Sequence, residues 1–286
     1  MDFLFQAALA EGTEQQPNYM TDTVFKKLMQ ADAKFWGMII GLAALALIFF
    51  LICRNRKFWT AQTVAYGAIS IALSFVLSYI RVFRMPQGGS ITPASMLPLM
   101  LFSAAYGVGP GMAAGLVYGV LQYFQGGDFL SVWQVIFDYL IAFAALGLAG
   151  LYRYLHQKWQ IFLTMGLSAA LLVLMLVSYP GTWWIYAILL AALVVLAVFV
   201  LMNPEKFSML PAMGIAVLGR AVSAVIAGLM WVPYSLSEGW ITAEQANAPL
   251  LYSLVYNGAY LVPELVICMV VAGMVGTRLL QAMKQR

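Results

Sequence analysis

Three ionisable residues, Asp138, Arg220 and Glu264, stand inside long apolar stretches of the sequence. Charged side chains within a hydrocarbon layer are costly, so they usually face a cavity or pair with one another. Pairing within a helix bundle is a sufficient explanation for Arg220 and Glu264, and a weaker one for Asp138. An unpaired buried carboxylate would serve as a countercharge for a cation.

Aromatic and amide side chains gather near Asp138 and near the predicted outer ends of the same apolar segments. They are Tyr118, Tyr139, Trp231, Tyr252 and Asn257. An interfacial aromatic belt explains Trp and Tyr at a helix end. It explains Asn257 less well, because a buried amide must find hydrogen-bond partners. Since a carboxylate supplies countercharge and aromatic faces attract cations, these residues predict a pocket for a flat organic cation.

The composition places these residues in a polytopic membrane protein. Of 286 residues, 63% are hydrophobic and only 9% are charged, whereas a soluble domain carries roughly 25% charged residues. Soluble enzymes, disordered chains and coiled coils are therefore excluded. The formal charge of +4 fits basic residues on a cytoplasmic face and requires no nucleic acid. Cys53 and Cys268 show neither a disulfide nor a metal-site pattern, and no cofactor is expected.

Nine segments are candidate membrane spans, because about 20 apolar helical residues cross the hydrocarbon core. They cover 35–53, 59–80, 93–107, 111–126, 130–151, 160–178, 183–202, 208–232 and 250–278. The third and fourth are short and are separated by the turn Tyr106–Gly111. Basic residues follow the first, fifth, seventh and ninth spans, which predicts an external N-terminus and a cytoplasmic C-terminus in the plasma membrane.

Small residues form two stripes at spacings of three or four residues. The first contains Gly107, Gly111, Gly115 and Gly119, and the second contains Ala61, Ala65, Ala68 and Ala72. Such stripes allow helices to approach closely. Internal packing is the expected role of the glycines, whereas the alanines fit either internal packing or a docking surface for another membrane protein.

Several short motifs occur in a fixed order along the chain. They are Ala68-Ile-Ser-Ile-Ala72, Arg84-Met-Pro-Gln-Gly-Gly-Ser-Ile-Thr92, Gly115-Leu-Val-Tyr-Gly119, Asp138-Tyr139, Tyr252-Ser-Leu-Val-Tyr-Asn-Gly258 and Pro263-Glu264. Together they resemble the thiamine-specific substrate-binding subunit (S component) of energy-coupling factor (ECF) transporters. The resemblance covers about 59–153 and 207–282.

The resemblance implies an all-α polytopic membrane protein with a six-helix S-component core and about three additional transmembrane helices. The core would comprise 59–153 and 207–286. The remainder would be a polar segment (1–34), an extra helix with a basic loop (35–58) and an inserted hairpin (154–206). Such subunits bind a vitamin in a pocket open to the outside and are not enzymes. They dock a transmembrane coupling subunit driven by two ATPases, and the family's docking motif maps to Ala68 and Ala72.

The same resemblance assigns roles to the pocket residues. Asp138 would bind the aminopyrimidine of thiamine, Trp231 would stack on its thiazolium ring, and the loop Met85–Thr92 would act as a lid. Tyr139, Tyr252 and Asn257 would complete the polar contacts, and Tyr118 lies in a neighbouring helix. Ser223 stands where relatives usually have a histidine. Because serine is shorter and carries no charge, this difference puts the affinity or the ligand's identity in question.

The sequence leaves three alternatives to this function, one of which is disfavoured. A stand-alone ion-coupled transporter of an organic cation would use Asp138, Arg220 and Glu264 as a relay, although no internal repeat of the usual kind is evident. A membrane-embedded enzyme is disfavoured, because the chain lacks HExxH, GxSxG and GxxxxGK[ST]. An S component for a different vitamin or precursor is the third alternative.

Overall fold

The computed structural model describes residues 59–85, 88–155, 157–178 and 183–284. The first predicted span, 35–53, and the polar segment 1–34 lie outside these residues. Within the described ranges the fold is helical, apart from one small hairpin of two antiparallel strands between the first two helices.

The elements follow one another along the chain with short connections. The helices are α1 (Ala61–Tyr79), α2 (Leu97–Tyr106), α3 (Val108–Phe124), α4 (Val132–Tyr152), α5 (Lys158–Ser178), α6 (Trp183–Met202), α7 (Leu210–Ser237), α8 (Ala243–Asn247), α9 (Pro249–Val271) and α10 (Thr277–Lys284). The strands are β1 (Phe83–Arg84) and β2 (Ser90–Ile91).

Six helical segments of the described chain are long and apolar enough to cross a membrane. They are Ala61–Tyr79, Val132–Tyr152, Lys158–Ser178, Trp183–Met202, Pro204–Ser237 and Pro249–Gly276. The prediction of an all-α, multi-pass membrane protein is therefore confirmed. That about three helices are additions to a six-helix core stays a prediction.

The observed boundary between α2 and α3 differs from the one predicted between the third and fourth spans. α2 has 10 residues and α3 has 17, both short of the about 20 that cross a hydrocarbon core. α3 begins at Val108, inside the predicted turn, because Gly107 alone makes the turn with a φ of 101°. Pro110 is accommodated in the first helical turn, where backbone N–H groups have no intrahelical acceptor.

α1 buries small polar residues and exposes large apolar ones. Thr60 caps its N-terminus by accepting a hydrogen bond from the Thr63 amide at 3.1 Å. The buried face consists of Thr63, Gly67, Ser70, Ser74 and Ser78. Val64, Ile69, Leu73 and Val76 are exposed, as are Ala68 and Ala72. This distribution is typical of a membrane helix, since lipid solvates apolar side chains and small residues allow close helix contacts.

The glycine stripe of α3 packs against the backbone of α4. A Cβ atom added at Gly111 would overlap a side chain of α2. One added at Gly115 or Gly119 would overlap a backbone carbonyl of α4, which at Gly115 is the carbonyl of Phe143. Gly147 and Gly150 of α4 make the reciprocal approach to the start of α3. The internal-packing role expected for the glycine stripe is confirmed for three of its members, whereas a Cβ atom at Gly107 would meet nothing within 4 Å, and that glycine serves the turn.

α4 occupies the centre of the bundle, between α2 and α3 on one side and α7 on the other. α9 packs along α7, and α5 and α6 form an antiparallel pair against α9. As a result, the C-terminal ends of α1, α3 and α7 meet the N-terminal ends of α4 and α9 at one end of the bundle.

Candidate ligand-binding site

A cavity of about 170 Å³ lies at this end of the bundle. Its walls come from α1, α3, α4, α7 and α9, and the β1–β2 hairpin contributes a further side. Six of the predicted site residues line it: Tyr118, Asp138, Tyr139, Trp231, Tyr252 and Asn257. The structure therefore brings together residues that are far apart in the sequence.

Asp138 presents an oriented carboxylate to the cavity. Its Oδ2 accepts hydrogen bonds from Gln134 Nε2 at 2.8 Å and from the Trp231 indole N–H at 3.1 Å. Its other oxygen has no hydrogen-bond donor among the described residues. Because an ionised carboxylate accepts up to about four hydrogen bonds, Asp138 retains acceptor capacity for a ligand.

Asp138 lies in a π-helical segment of α4, Ile136–Ile141. π-Helical turns occur frequently at functional sites, because they change the direction of side chains within a helix. The sequence alone gave no indication of this segment.

Ser223 is the one predicted pocket residue that is not among those lining the cavity. It is buried, and its hydroxyl donates to the Phe137 backbone carbonyl at 2.6 Å. Phe137 immediately precedes Asp138, so Ser223 contacts the backbone that carries the carboxylate.

α9 supplies an aromatic wall and one buried amide. The rings of Tyr252 and Tyr256 are stacked with centroids 6.1 Å apart. Asn257 donates through Nδ2 to the Ser253 carbonyl at 2.9 Å and to the Ala224 carbonyl at 3.3 Å, and its Oδ1 accepts from Tyr260 at 2.8 Å. The buried amide thus has the partners that its position requires.

Tyr118 and Tyr139 contribute further aromatic surface from α3 and α4. Tyr118 is 1% exposed, donates to the Ser74 carbonyl at 3.3 Å and meets the Phe143 ring edge-on at 4.9 Å. Tyr139 meets Tyr123 edge-on at 5.3 Å. Edge-to-face contacts of this kind hold rings in fixed orientations.

The other two intramembrane charges form an ion pair, and both of them also line the cavity. Arg220 Nη1 lies 4.0 Å from Glu264 Oε2, and the guanidinium lies 4.4 Å above the centroid of the Phe143 ring. Glu264 Oε1 accepts from Thr92 Oγ1 at 2.5 Å and Ser95 Oγ at 2.7 Å. The expectation of pairing is confirmed, and the contribution of Thr92 and Ser95 was missed.

The hairpin lies against α9 at the cavity. The Gly89 amide donates to the Tyr256 hydroxyl at 3.1 Å. A Cβ atom at Gly89 would lie 2.8 Å from a Tyr260 ring carbon, so only glycine permits this approach. Gly88 has a φ of 92°, a conformation that also favours glycine. Gly88, Gly89 and Ser90 line the cavity.

Sequence analysis missed a second set of polar residues on the cavity wall, namely Ser78, Gln122 and Gln125. Two glutamines three residues apart at the end of an apolar segment were the available signal. Among the described residues, no group of three or more His, Cys, Asp or Glu side chains is placed to hold a metal ion.

The structure thus defines the class as a polytopic helical membrane protein with a polar and aromatic cavity at one end of the bundle. The model of the thiamine transporter protein family (Thia_YuaJ) matches residues 64–284. The chain is 30% identical over 210 residues to the thiamine transporter ThiT of Bacillus subtilis (strain 168), covering 71% of this chain and 84% of that protein. The chain therefore belongs to the thiamine transporter family, as the resemblance to the thiamine S component of ECF transporters indicated.

The fold has a counterpart among solved structures. ThiT from Listeria monocytogenes matches with a TM-score of 0.51 at 20% sequence identity, covering 76% of this chain and 96% of that chain. The bundle therefore has the fold of a thiamine transporter, and the family is one of transport proteins and not of enzymes.

Proposed function

We propose that this chain binds thiamine in the cavity and acts as the S component of an ECF transporter. The observation that carries the proposal is the contact between Asp138 and Trp231, which places a carboxylate beside an aromatic ring on the cavity wall. Thiamine combines an aminopyrimidine, which donates hydrogen bonds, with a cationic thiazolium ring. Asp138 accepts from the aminopyrimidine, and Trp231 provides the face for the cation.

The remaining site residues confine the ligand. Tyr118, Tyr139 and Tyr252 provide rigid aromatic walls, and Asn257 on α9 joins α7 through its hydrogen bond to the Ala224 carbonyl. Ser223 acts from outside the cavity by holding the backbone before Asp138. The hairpin acts as the lid on the external side.

The energy for transport comes from partner chains. A shallow apolar groove of about 240 Å³ runs beside Ala68 and is lined from α1, α2 and α3. Ala72 is exposed one helical turn further along α1. We assign this small-residue surface to a transmembrane helix of the ECF coupling subunit, which two ATPases drive. The N-terminus is external and the C-terminus cytoplasmic.

A stand-alone ion-coupled transporter receives less support. Its proposed relay would need Arg220 and Glu264 to exchange protons, yet the two bind each other, and Glu264 also accepts two hydroxyl hydrogen bonds. A carboxylate held by three partners is suited to a fixed structural charge.

Titration of the purified protein with thiamine tests the proposed function directly. Saturable binding well below micromolar concentration is expected without ATP or an ion gradient, because all binding groups belong to this chain. Isothermal titration calorimetry measures it, with pyridoxine as a control cation-forming vitamin of different shape. Absence of thiamine binding, or equal binding of pyridoxine, would contradict the proposal.

Replacing Ala68 with Phe is expected to abolish ATP-dependent uptake while leaving thiamine binding intact. The larger ring would occupy the groove, since Ala68 lies on its wall and far from the cavity. Uptake by proteoliposomes containing the complete complex measures the effect. Leu163→Phe, at a site on α5 that is 62% exposed, is the matched control. Full uptake by the Ala68 variant would place the docking surface elsewhere.

A further inference from the structure

The cavity has a second polar end, formed by the residues Ser78, Gln122 and Gln125, here called the amide cluster. Gln122 Nε2 donates to Ser78 Oγ at 2.9 Å and to Gln125 Oε1 at 2.7 Å. Ser78 Oγ lies 2.9 Å from the same Gln125 oxygen. The three side chains come from the C-terminal ends of α1 and α3, whereas Trp231 and Asp138 lie on α7 and α4.

Gln125 is only 6% exposed, and its Nε2 has no hydrogen-bond partner among the described residues. Exchanging the oxygen and the nitrogen of this amide does not remove the deficit. Gln122 and Ser78 both contact the same terminal atom of Gln125, so the opposite atom is unpaired in either orientation.

A buried polar group without a partner is costly, and such groups in folded proteins are nearly always satisfied. Because Gln125 lines the cavity, the missing partner is a molecule bound there. That partner has to match an amide N–H group in one orientation and a carbonyl oxygen in the other. A hydroxyl group does both, since it donates and accepts.

The charge at this end also favours a neutral group. The amide cluster carries no formal charge. Arg81 and Asp128, which follow Ser78 and Gln125 by three residues each, line the cavity with opposite signs. A phosphate group on the ligand would face one positive and one negative side chain, whereas a neutral hydroxyl group needs no countercharge.

We propose that the amide cluster binds the terminal hydroxyl of the ligand's hydroxyethyl chain, with Gln125 making the contact. This inference rests on the proposed function, because thiamine has this hydroxyl on the ring opposite its aminopyrimidine. With the aminopyrimidine at Asp138, the hydroxyethyl chain points away from the carboxylate and reaches the other polar end. The cavity then binds both ends of one molecule through polar groups.

The test compares thiamine with its deoxy analogue, in which hydrogen replaces the hydroxyl group, by isothermal titration calorimetry. Wild-type protein is expected to bind thiamine about tenfold more tightly, the usual effect of one hydrogen bond to a buried neutral group. Gln125→Met keeps the side-chain length and removes the amide. It is expected to lose this tenfold preference by weakening only thiamine. Gln281→Met, on the exposed face of α10, is the control and keeps the preference.

Each other outcome has a separate meaning. Equal wild-type affinities for both ligands would overturn the hydroxyl assignment and leave thiamine binding in place. This comparison needs no variant, so it stands even if Gln125→Met fails to fold. Equal weakening of both ligands in the variant would show that Gln125 only supports the fold. A wild-type protein that binds neither ligand overturns both the proposed function and this inference.

Discussion

Asp138→Asn is expected to weaken thiamine binding by roughly tenfold to a hundredfold. Hydrogen bonds to a charged group contribute about 1.5–3 kcal/mol, and about 1.4 kcal/mol corresponds to tenfold in affinity. Asn keeps an oxygen that can accept from Gln134 and Trp231, whose donors lie 2.8 and 3.1 Å from the carboxylate. The loss therefore measures the charge presented to the ligand. Isothermal titration calorimetry of both proteins gives the ratio.

A matched control separates this local effect from the general charge of the protein. Glu244→Gln removes one exposed carboxylate from the short helix α8, at the same end of the bundle but outside the cavity wall. Its affinity for thiamine is expected to equal that of the wild type. If Asp138→Asn also binds thiamine normally, the carboxylate is not a ligand-binding group and the site assignment is wrong.

Gly115→Ala is expected to lower the stability of the protein by about 1–3 kcal/mol, the usual cost of overpacking, and to weaken thiamine binding. The new Cβ atom would overlap the backbone carbonyl of Phe143. Since no side-chain rotation can relieve a backbone overlap, α3 and α4 have to separate. Asp138 lies on α4 five residues before Phe143, so the shift would move the carboxylate.

The effect is measured by heating detergent-solubilised protein and following the folded fraction by size-exclusion chromatography. Gly166→Ala is the control, because a Cβ atom there has no neighbour within 4 Å in the middle of α5. Alanine favours the helix over glycine by about 1 kcal/mol, so this variant is expected to be at least as stable as the wild type. Equal melting of the two variants would contradict the close α3–α4 packing.

The sequence allowed the membrane class, most helices and six cavity residues to be predicted. Apolar segments near 20 residues are reliable because the hydrocarbon layer imposes that length. The start of α3 was placed too late, since the proline at 110 was taken as part of a turn. Proline is equally compatible with the first turn of a helix, and only the conformation of Gly107 distinguishes the two.

The contacts across the site were harder to predict, because they depend on how helices face one another. Gln134 and Asp138 are four residues apart, which places them on one helix face, but nothing in the sequence adds Trp231 to the same oxygen. The position of Ser223 could not be predicted either. Motif position suggested a pocket residue, whereas the hydroxyl faces the backbone of α4. The amide cluster was missed because it forms only where the C-terminal ends of α1 and α3 come together.

The bonds between the hairpin and α9 bear on the speed of ligand exchange. The Gly89 amide is bound to Tyr256, and Thr92 at the base of the hairpin is bound to Glu264. If the hairpin is the lid proposed above, a ligand arriving from this side waits for the Gly89–Tyr256 bond to break, so at high concentration the association rate reaches a ceiling set by the protein. Ligands of similar shape then share that ceiling, and their differences in affinity appear as differences in residence time.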